Sequence, residues 1–340
     1  MQTRVKGPTI KRWTVILGTL LSVMVVVSPF TLAAGDAGTS SYPNHPIVLV
    51  APFPPGHITD SECRRIAPLL SKAMGQPVTV ENWAGKGGTA ALERFAHAAP
   101  DGYTLILHGI NGLAIAPHVM RVGYDPVADF APIILEYSRG HLILVASPGL
   151  PVNSVRELIA YGKNNPGKLT AGSFGAATNV HMAVVQFNRV TGLAIPTTVL
   201  PGANILDDLA AGKVQLMFNF PPPVARYVKA GKLKALAVTH GHSMFLPDVP
   251  TFEEAGVRGM DDISGGWMGF LAPAGTPSEI VARLNTEFRK IFQSLNAREG
   301  FASREENTPE EFAAFLKSEN ARWGKFIEAG KASGTSATKR

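Results

Sequence analysis

Cysteine is almost absent: Cys63 is the only one in 340 residues, so no disulfide can form within the chain even in an oxidising compartment. It reads as a small buried apolar residue on the first helix rather than a reactive thiol. Metal-binding patterns are equally scarce. Nine histidines occur without an H-E-x-x-H motif, and His240 and His242, two apart, read as ordinary polar residues. Gly85-Lys86-Gly87-Gly88-Thr89 lacks the G-x-x-x-x-G-K-[ST] order of a phosphate-binding loop, and no acidic residue is placed for a dinucleotide fingerprint. No cofactor and no metal is therefore expected. Lys and Arg gather into no stripe with interleaved aromatics, which argues against nucleic acid as a partner. Beyond Phe30 no stretch approaches the 18 apolar residues of a membrane span.

The one long apolar run lies at the start. Arg4, Lys6, Lys11 and Arg12 precede the apolar residues from Val15 to Phe30, and the small residues Ala33, Ala34, Gly35 and Ala37 follow. This is the basic, apolar, small-residue layout of a secretory signal. It predicts an exported, periplasmic protein with residues 1–34 removed. Those residues hold four of the 32 Lys and Arg and none of the 26 acidic residues, so 28 basic residues face 26 acidic ones in the remainder. The high pI is then largely a property of the leader. The slight positive excess left over favours small anions.

The remaining chain, about 300 residues, is more than one hydrophobic core usually serves and predicts two lobes. From Pro46 onward the order is strand, turn, helix, repeated. Ile47 to Ala51 is a continuous apolar run closed by Pro52-Phe53-Pro54-Pro55-Gly56, and Cys63, Ile66, Leu70 and Met74 then recur at helical spacing. Further strands are expected at Val78 to Glu81, Tyr103 to His108, Leu142 to Ala146, Leu169 to Gly172, Val214 to Phe218, Leu233 to Val238 and Trp267 to Leu271. Helices are expected at Thr89 to Ala98, after the Ser154 cap with Glu157, and at Asn179 to Val190, Ser278 to Leu295 and Pro309 to Ala329. This alternation predicts an α/β fold with a mostly parallel sheet flanked by helices in each lobe. Lys331 to Arg340, rich in Ser, Thr, Lys and Gly, reads as a disordered tail.

In open parallel sheets ligands bind beyond the carboxyl ends of the strands. Pro54 to Asp60, Asn82 to Thr89 and Ser173 to Thr178 are three turns that would lie there, with Gly109 to Leu113, carrying Asn111, as a fourth. Each offers backbone N–H groups and the positive end of a helix dipole, a combination suited to a carboxylate. Such turns also arise simply because any α/β protein needs tight connections. A hydrolase is the competing reading. Ala171-Gly172-Ser173-Phe174-Gly175 is one glycine short of a nucleophile elbow, and Asp207, Asp208 and His240 follow in triad order. The short spacing from Ser173 to His240 and the lack of a second oxyanion motif weigh against it, so no catalytic residue is assigned.

Taken in order, Pro52-Phe53-Pro54-Pro55-Gly56 with Thr59-Asp60, Gly75-Gln76-Pro77-Val78, Glu81-Asn82 with Gly87-Gly88, and Ala99-Pro100-Asp101-Gly102-Tyr103-Thr104-Leu105 closely resemble the periplasmic receptors of tripartite tricarboxylate transporters, the Bug proteins. Tyr124-Asp125-Pro126, Ala230-Gly231-Lys232-Leu233, Leu246-Pro247-Asp248-Val249-Pro250-Thr251 and Leu271-Ala272-Pro273-Ala274-Gly275-Thr276-Pro277 extend the resemblance to about Gly330. It implies a two-lobed clamshell with two crossover strands closing over a small carboxylate, working with integral permease subunits or with a signalling sensor. It implies lobe 1 over residues 42–140 plus 266–330 and lobe 2 over residues 141–265. It also implies ligand contacts from Pro54, Pro55, Gly56, His57, Ile58, Thr59 and Asp60 in the first loop, whose backbone and hydroxyl face the cleft. Ser173, Gly175, Thr178 and His181 match the second-lobe motif, and Asn219 stands at its acidic position. Phe53, Phe174 and Trp267 are candidate apolar walls, Trp267 more readily as core. The chain departs from the family pattern at His57 and Ala177, where Gly is usual, and at Asn219, where Asp is usual. The Gly202-Ala203-Asn204 segment is one residue shorter than usual.

Overall fold

The computed structural model describes residues 42–200, 205–263, 265–299 and 307–332. The leader, the Gly202-Ala203-Asn204 segment and the tail from residue 333 lie outside them. In chain order the first group of elements is β1 (Ile47–Ala51), α1 (Ile58–Met74), β2 (Val78–Asn82), α2 (Thr89–Phe95), β3 (Thr104–Gly109), α3 (Ala116–Val119) and β4 (Phe130–Gly140). There follow β5 (Ile143–Ala146), α4 (Val155–Asn164), β6 (Ala171–Ser173), α5 (Asn179–Thr191), β7 (Thr197–Val199), α6 (Ile205–Ala210), β8 (Leu216–Asn219), α7 (Pro221–Lys229) and β9 (Lys234–Val238). The chain then returns through β10 (Gly266–Pro273) and ends in α8 (Ser278–Glu299) and α9 (Pro309–Ala332). Helix α9 thus runs two residues into the stretch expected to be disordered.

Two five-stranded sheets result, ordered β2-β1-β3-β10-β4 and β7-β6-β8-β5-β9. The fold is two-lobed, and each sheet is mostly parallel with one strand reversed. β10 is antiparallel to both β3 and β4, and β5 is antiparallel to both β8 and β9. The reason is topological. β4 leaves the first sheet toward the second, so the strand that enters each sheet from the crossing, β5 or β10, must run against the rest. The same arrangement fixes where the loops go. The carboxyl ends of β1 to β3 and of β6 to β9 all point toward the crossing, which sets the turns after them on the two sides of one cleft.

Local sequence explains the elements that carry these turns. β1 is almost wholly buried, as a strand inside a sheet covered on both faces must be. Helix α1 buries Cys63, Ile66, Leu70 and Met74 and stops at Gly75, which takes the left-handed conformation at φ 72°. The Cys63 thiol points at the Val50 carbonyl (3.9 Å), and burial pushes its pKa up, which makes it inert. Trp267 is core: its ring meets Phe312 and Phe315 edge-on, and its Nε1–H donates to Glu319 (3.0 Å). Phe270 stacks on Phe288 of α8 with ring centroids 4.4 Å apart.

Where the chain crosses between sheets, two backbone segments touch. The Gly265 N–H donates to the Gly140 carbonyl, and a Cβ on Gly265 would lie 2.5 Å from the carbonyl carbon of Gly140 and 2.6 Å from the His141 oxygen. Only glycine fits, because the obstacle is backbone and cannot rotate away. Gly265→Ala is therefore expected to lower stability by about 3 kcal/mol in urea unfolding, the upper range for overpacking. Gly149→Ala, where a Cβ would meet nothing within 4 Å, should cost less than about 0.5 kcal/mol. Equal effects of the two would contradict the close crossing.

Candidate functional site

The first-lobe turn is organised around Asp60. The Gly56 N–H donates to its Oδ2 (2.8 Å), and Arg64 Nε (3.0 Å) and Asn82 Nδ2 (2.8 Å) donate to its Oδ1. Asn82 also donates to the Phe53 carbonyl (2.8 Å), tying the turn to the end of β2. Burial alone would raise the Asp60 pKa. The Gly56 N–H, the Asn82 amide and the Arg64 guanidinium outweigh it and hold the carboxyl below the ordinary carboxylate range. Asp60 is thus an ionised group buried in the first turn of α1, where it also meets the positive end of the helix dipole.

His57 caps α1. Its Nδ1 accepts the Thr59 N–H (3.3 Å) and lies 3.0 Å from Thr59 Oγ1, while its ring stacks on Phe53 with centroids 4.0 Å apart and planes 20° from parallel. Burial, with His108 nearby, pushes its pKa down to about 4. Thr59 and Asp60, expected to face the cleft, spend their polar side-chain atoms inside the turn. What the turn exposes is Pro54, Pro55, Gly56 and Ile58, the last 51% exposed.

Behind Phe53 lies His108, which the sequence reading passed over. It is buried at the end of β3 with a defined tautomer. The Gly109 N–H donates to Nδ1 (2.9 Å), so Nε2 carries the proton and meets the Gly88 carbonyl (3.2 Å). A Cβ on Gly88 would approach both the His108 and Phe53 rings at 3.0 Å, and one on Gly112 would come within 2.3 Å of His108. These two glycines are notches for an imidazole as well as turn residues, the one signal in the sequence that pointed to His108.

The fourth expected turn is no open loop. After Gly109 the chain passes directly into a π-helical turn, Asn111–Ile115. Its contribution is a side chain: Asn111 Oδ1 accepts the Asn179 N–H (3.1 Å) at the first turn of α5, across the cleft. Asn111 is thus a link between the two lobes.

In the second lobe Thr178 caps α5, accepting the His181 N–H (3.3 Å) and donating to the Gly175 carbonyl (2.7 Å). Ser173 Oγ accepts the Gly175 N–H (3.3 Å), leaving its own hydrogen to donate. No acid lies in the first turn of α5. His181 is 7% exposed, neither ring nitrogen has a hydrogen-bond partner among the described residues, and burial lowers its pKa. Asn219 is buried at the end of β8, its Oδ1 accepting the Phe220 N–H (2.7 Å) and its Nδ2 facing the Met217 sulfur (3.6 Å). Pro221, Pro222 and Pro223 follow, so that turn has no further N–H to offer. Both acids of the hydrolase reading have other partners: Asp207 accepts from the Tyr227 hydroxyl (2.8 Å), and Asp208 pairs with Lys213 (2.6 Å).

His108 gives the site a measurable acid sensitivity. Burial pushes its pKa down to about 4, against the pull of the Gly88 and Gly109 carbonyls. Because the folded value lies below that of the unfolded chain, its stabilising share is full above about pH 6.5 and is lost as pH falls toward 4. Urea unfolding of His108→Gln should therefore show a pH decline from 7.5 to 4.5 that is shallower than that of the parent by about 2 kcal/mol. Parallel declines would contradict a buried neutral imidazole.

The sequence profile of the tripartite tricarboxylate transporter family receptor matches residues 63–331. Protein BugT of Bordetella pertussis (strain Tohama I) is 32% identical over 315 residues, covering 88% of this chain and 95% of its own. An R. palustris protein solved with adipate superposes with a TM-score of 0.76 at 32% identity, over 85% of this chain and 98% of that one. MatC from Rhodopseudomonas palustris, solved with bound malate, gives 0.74 at 29% identity, over 84% and 99%. Sequence profile, full-length relatives and fold agree that the chain belongs to the receptor family of tripartite tricarboxylate transporters.

Proposed function

We propose that this chain is an exported, non-enzymatic receptor that captures a small carboxylate between its lobes and presents it to an integral-membrane permease. The lobes in this reading are residues 42–140 with 266–330, and residues 141–265. The observation that carries it is the pair of capped helix N-termini, α1 and α5, set on opposite sides of one cleft, across which the Asn111 side chain after β3 reaches the first turn of α5. The adipate and malate held by the two solved relatives support a carboxylate as the ligand class. The basic and apolar leader supports export, and among the described residues no helix is long and apolar enough to cross a membrane.

Amino-acid zwitterions are excluded by Asn219. Its amide offers no counter-charge, and an ammonium buried beside it would lack a partner. Aspartate at this position keeps an oxygen for the Phe220 N–H and adds the missing charge. Thermal unfolding against a panel of carboxylates and amino acids tests both statements. A ligand at 100 times its Kd adds about 2.7 kcal/mol, enough to raise Tm by several degrees. Non-amino carboxylates should shift the parent protein, and Asn219→Asp should add a response to aspartate or glutamate. A strong shift of the parent by amino acids would overturn the assignment.

A further inference from the structure

The two helix N-termini are not equivalent. Asp60 sits in the first turn of α1 and takes the Gly56 N–H, so lobe 1 already holds a carboxylate at its positive dipole end. That carboxylate is ion-paired to Arg64 (3.0 Å), so a ligand carboxylate placed there would find the Gly56 donor already taken. The first turn of α5 has no acid, and the N–H groups of Ala176, Ala177 and Val180 find no acceptor among the described residues. Beside them are the free hydrogen of Ser173 and the buried ring of His181, whose one N–H has no acceptor in the described chain. The turn after β8 adds no charge, and its prolines remove its donors.

Lobe 1 presents a different surface. The Phe53–His57 stack forms a flat ring platform, held from behind by Gly88 and His108. At neutral pH His57 is uncharged and draws no second anion. Two apolar side chains at the cleft turns are left open to solvent, Ile58 at 51% and Phe174 at 39%. A ligand body that covered them would gain by burial.

Resting on the carboxylate-receptor reading, we infer that the preferred ligand is an aromatic monocarboxylate, with its carboxylate on the Ser173–Thr178 turn of lobe 2 and its ring against Phe53 and His57 of lobe 1. A second carboxylate at the far end would meet the Phe53–His57 rings and Ile58, with the Gly56 N–H already taken by Asp60. An aliphatic body of the same size would fill the space without the stacking.

Isothermal titration of the purified protein with benzoate, cyclohexanecarboxylate, adipate and benzamide tests this. Benzoate is expected to bind about fivefold tighter than cyclohexanecarboxylate, the ratio that one aromatic stack supplies. It should bind about tenfold tighter than adipate, whose second charge goes unpaired, and benzamide should give no measurable heat. His57→Gly should remove the preference for benzoate over cyclohexanecarboxylate while both still bind. If that variant fails to fold, the ratios in the parent protein decide alone. Adipate binding as tightly as benzoate, benzamide binding as tightly as benzoate, or an unchanged ratio in His57→Gly would each overturn the inference. Adipate binding with no benzoate binding overturns it while leaving the carboxylate-receptor reading intact. Failure of all three acids to bind the folded protein overturns both.

Discussion

The buried carboxylate of Asp60 is the constraint on which the first half of the cleft depends. It holds Gly56 in a left-handed turn at φ 87° and, with Arg64, gathers the Asn82 side chain that also grips Phe53. An ion removed from water needs this many donors to stay charged. The network therefore does two things. It fixes the Phe53–His57 stack in place, and it consumes the helix-dipole site that an incoming anion would otherwise use. The asymmetry between the lobes follows from that one residue.

Several contacts tie the lobes together, among them Arg322 Nη1 donating to the Asp262 carbonyl (2.9 Å) and the Arg189 guanidinium over the Phe326 ring. The chain passes between lobes at Gly140 and Gly265, whose backbones meet with no room for a side chain, and the lobes meet again where Asn111 reaches the first turn of α5. Between these points lie the carboxyl ends of strands from both sheets. Closing such a cleft excludes water and strengthens each remaining hydrogen bond to a ligand. Neutral donors, namely backbone N–H groups, a serine hydroxyl and an imidazole, can then hold an anion without any cationic side chain.

Much of this architecture is legible in the chain. Buried strands such as Ile47 to Ala51 announce themselves as apolar runs, and the α4 and α5 caps, Ser154 and Thr178, stand one residue before their helices. The reversal of β5 and β10 is not legible, because strand direction is decided by where the chain crosses between lobes and not by any local pattern. Helix α7 was not foreseen; its three prolines occupy the first positions of the helix, where Pro is well suited. The burial of His108 and the Asn111 link to α5 were not foreseen for a related reason. Their roles come from partners twenty to seventy residues away, Gly88 and Asn179, and periodicity carries no information at that range. Thr59 and Asp60 were placed in the right turn, but sequence alone could not say that their polar atoms face inward.

The central claim is the polarity of the cleft, with charge in lobe 2 and ring in lobe 1. A crystal structure of the complex with 4-iodobenzoate tests it most directly, because the iodine marks the end of the ring opposite the carboxylate by its anomalous signal. The account predicts the iodine beside Phe53, His57 and Ile58, with the carboxylate on the N–H groups of the Ser173–Thr178 turn. An iodine at Phe174 with the carboxylate against Gly56 and the first turn of α1 would contradict it.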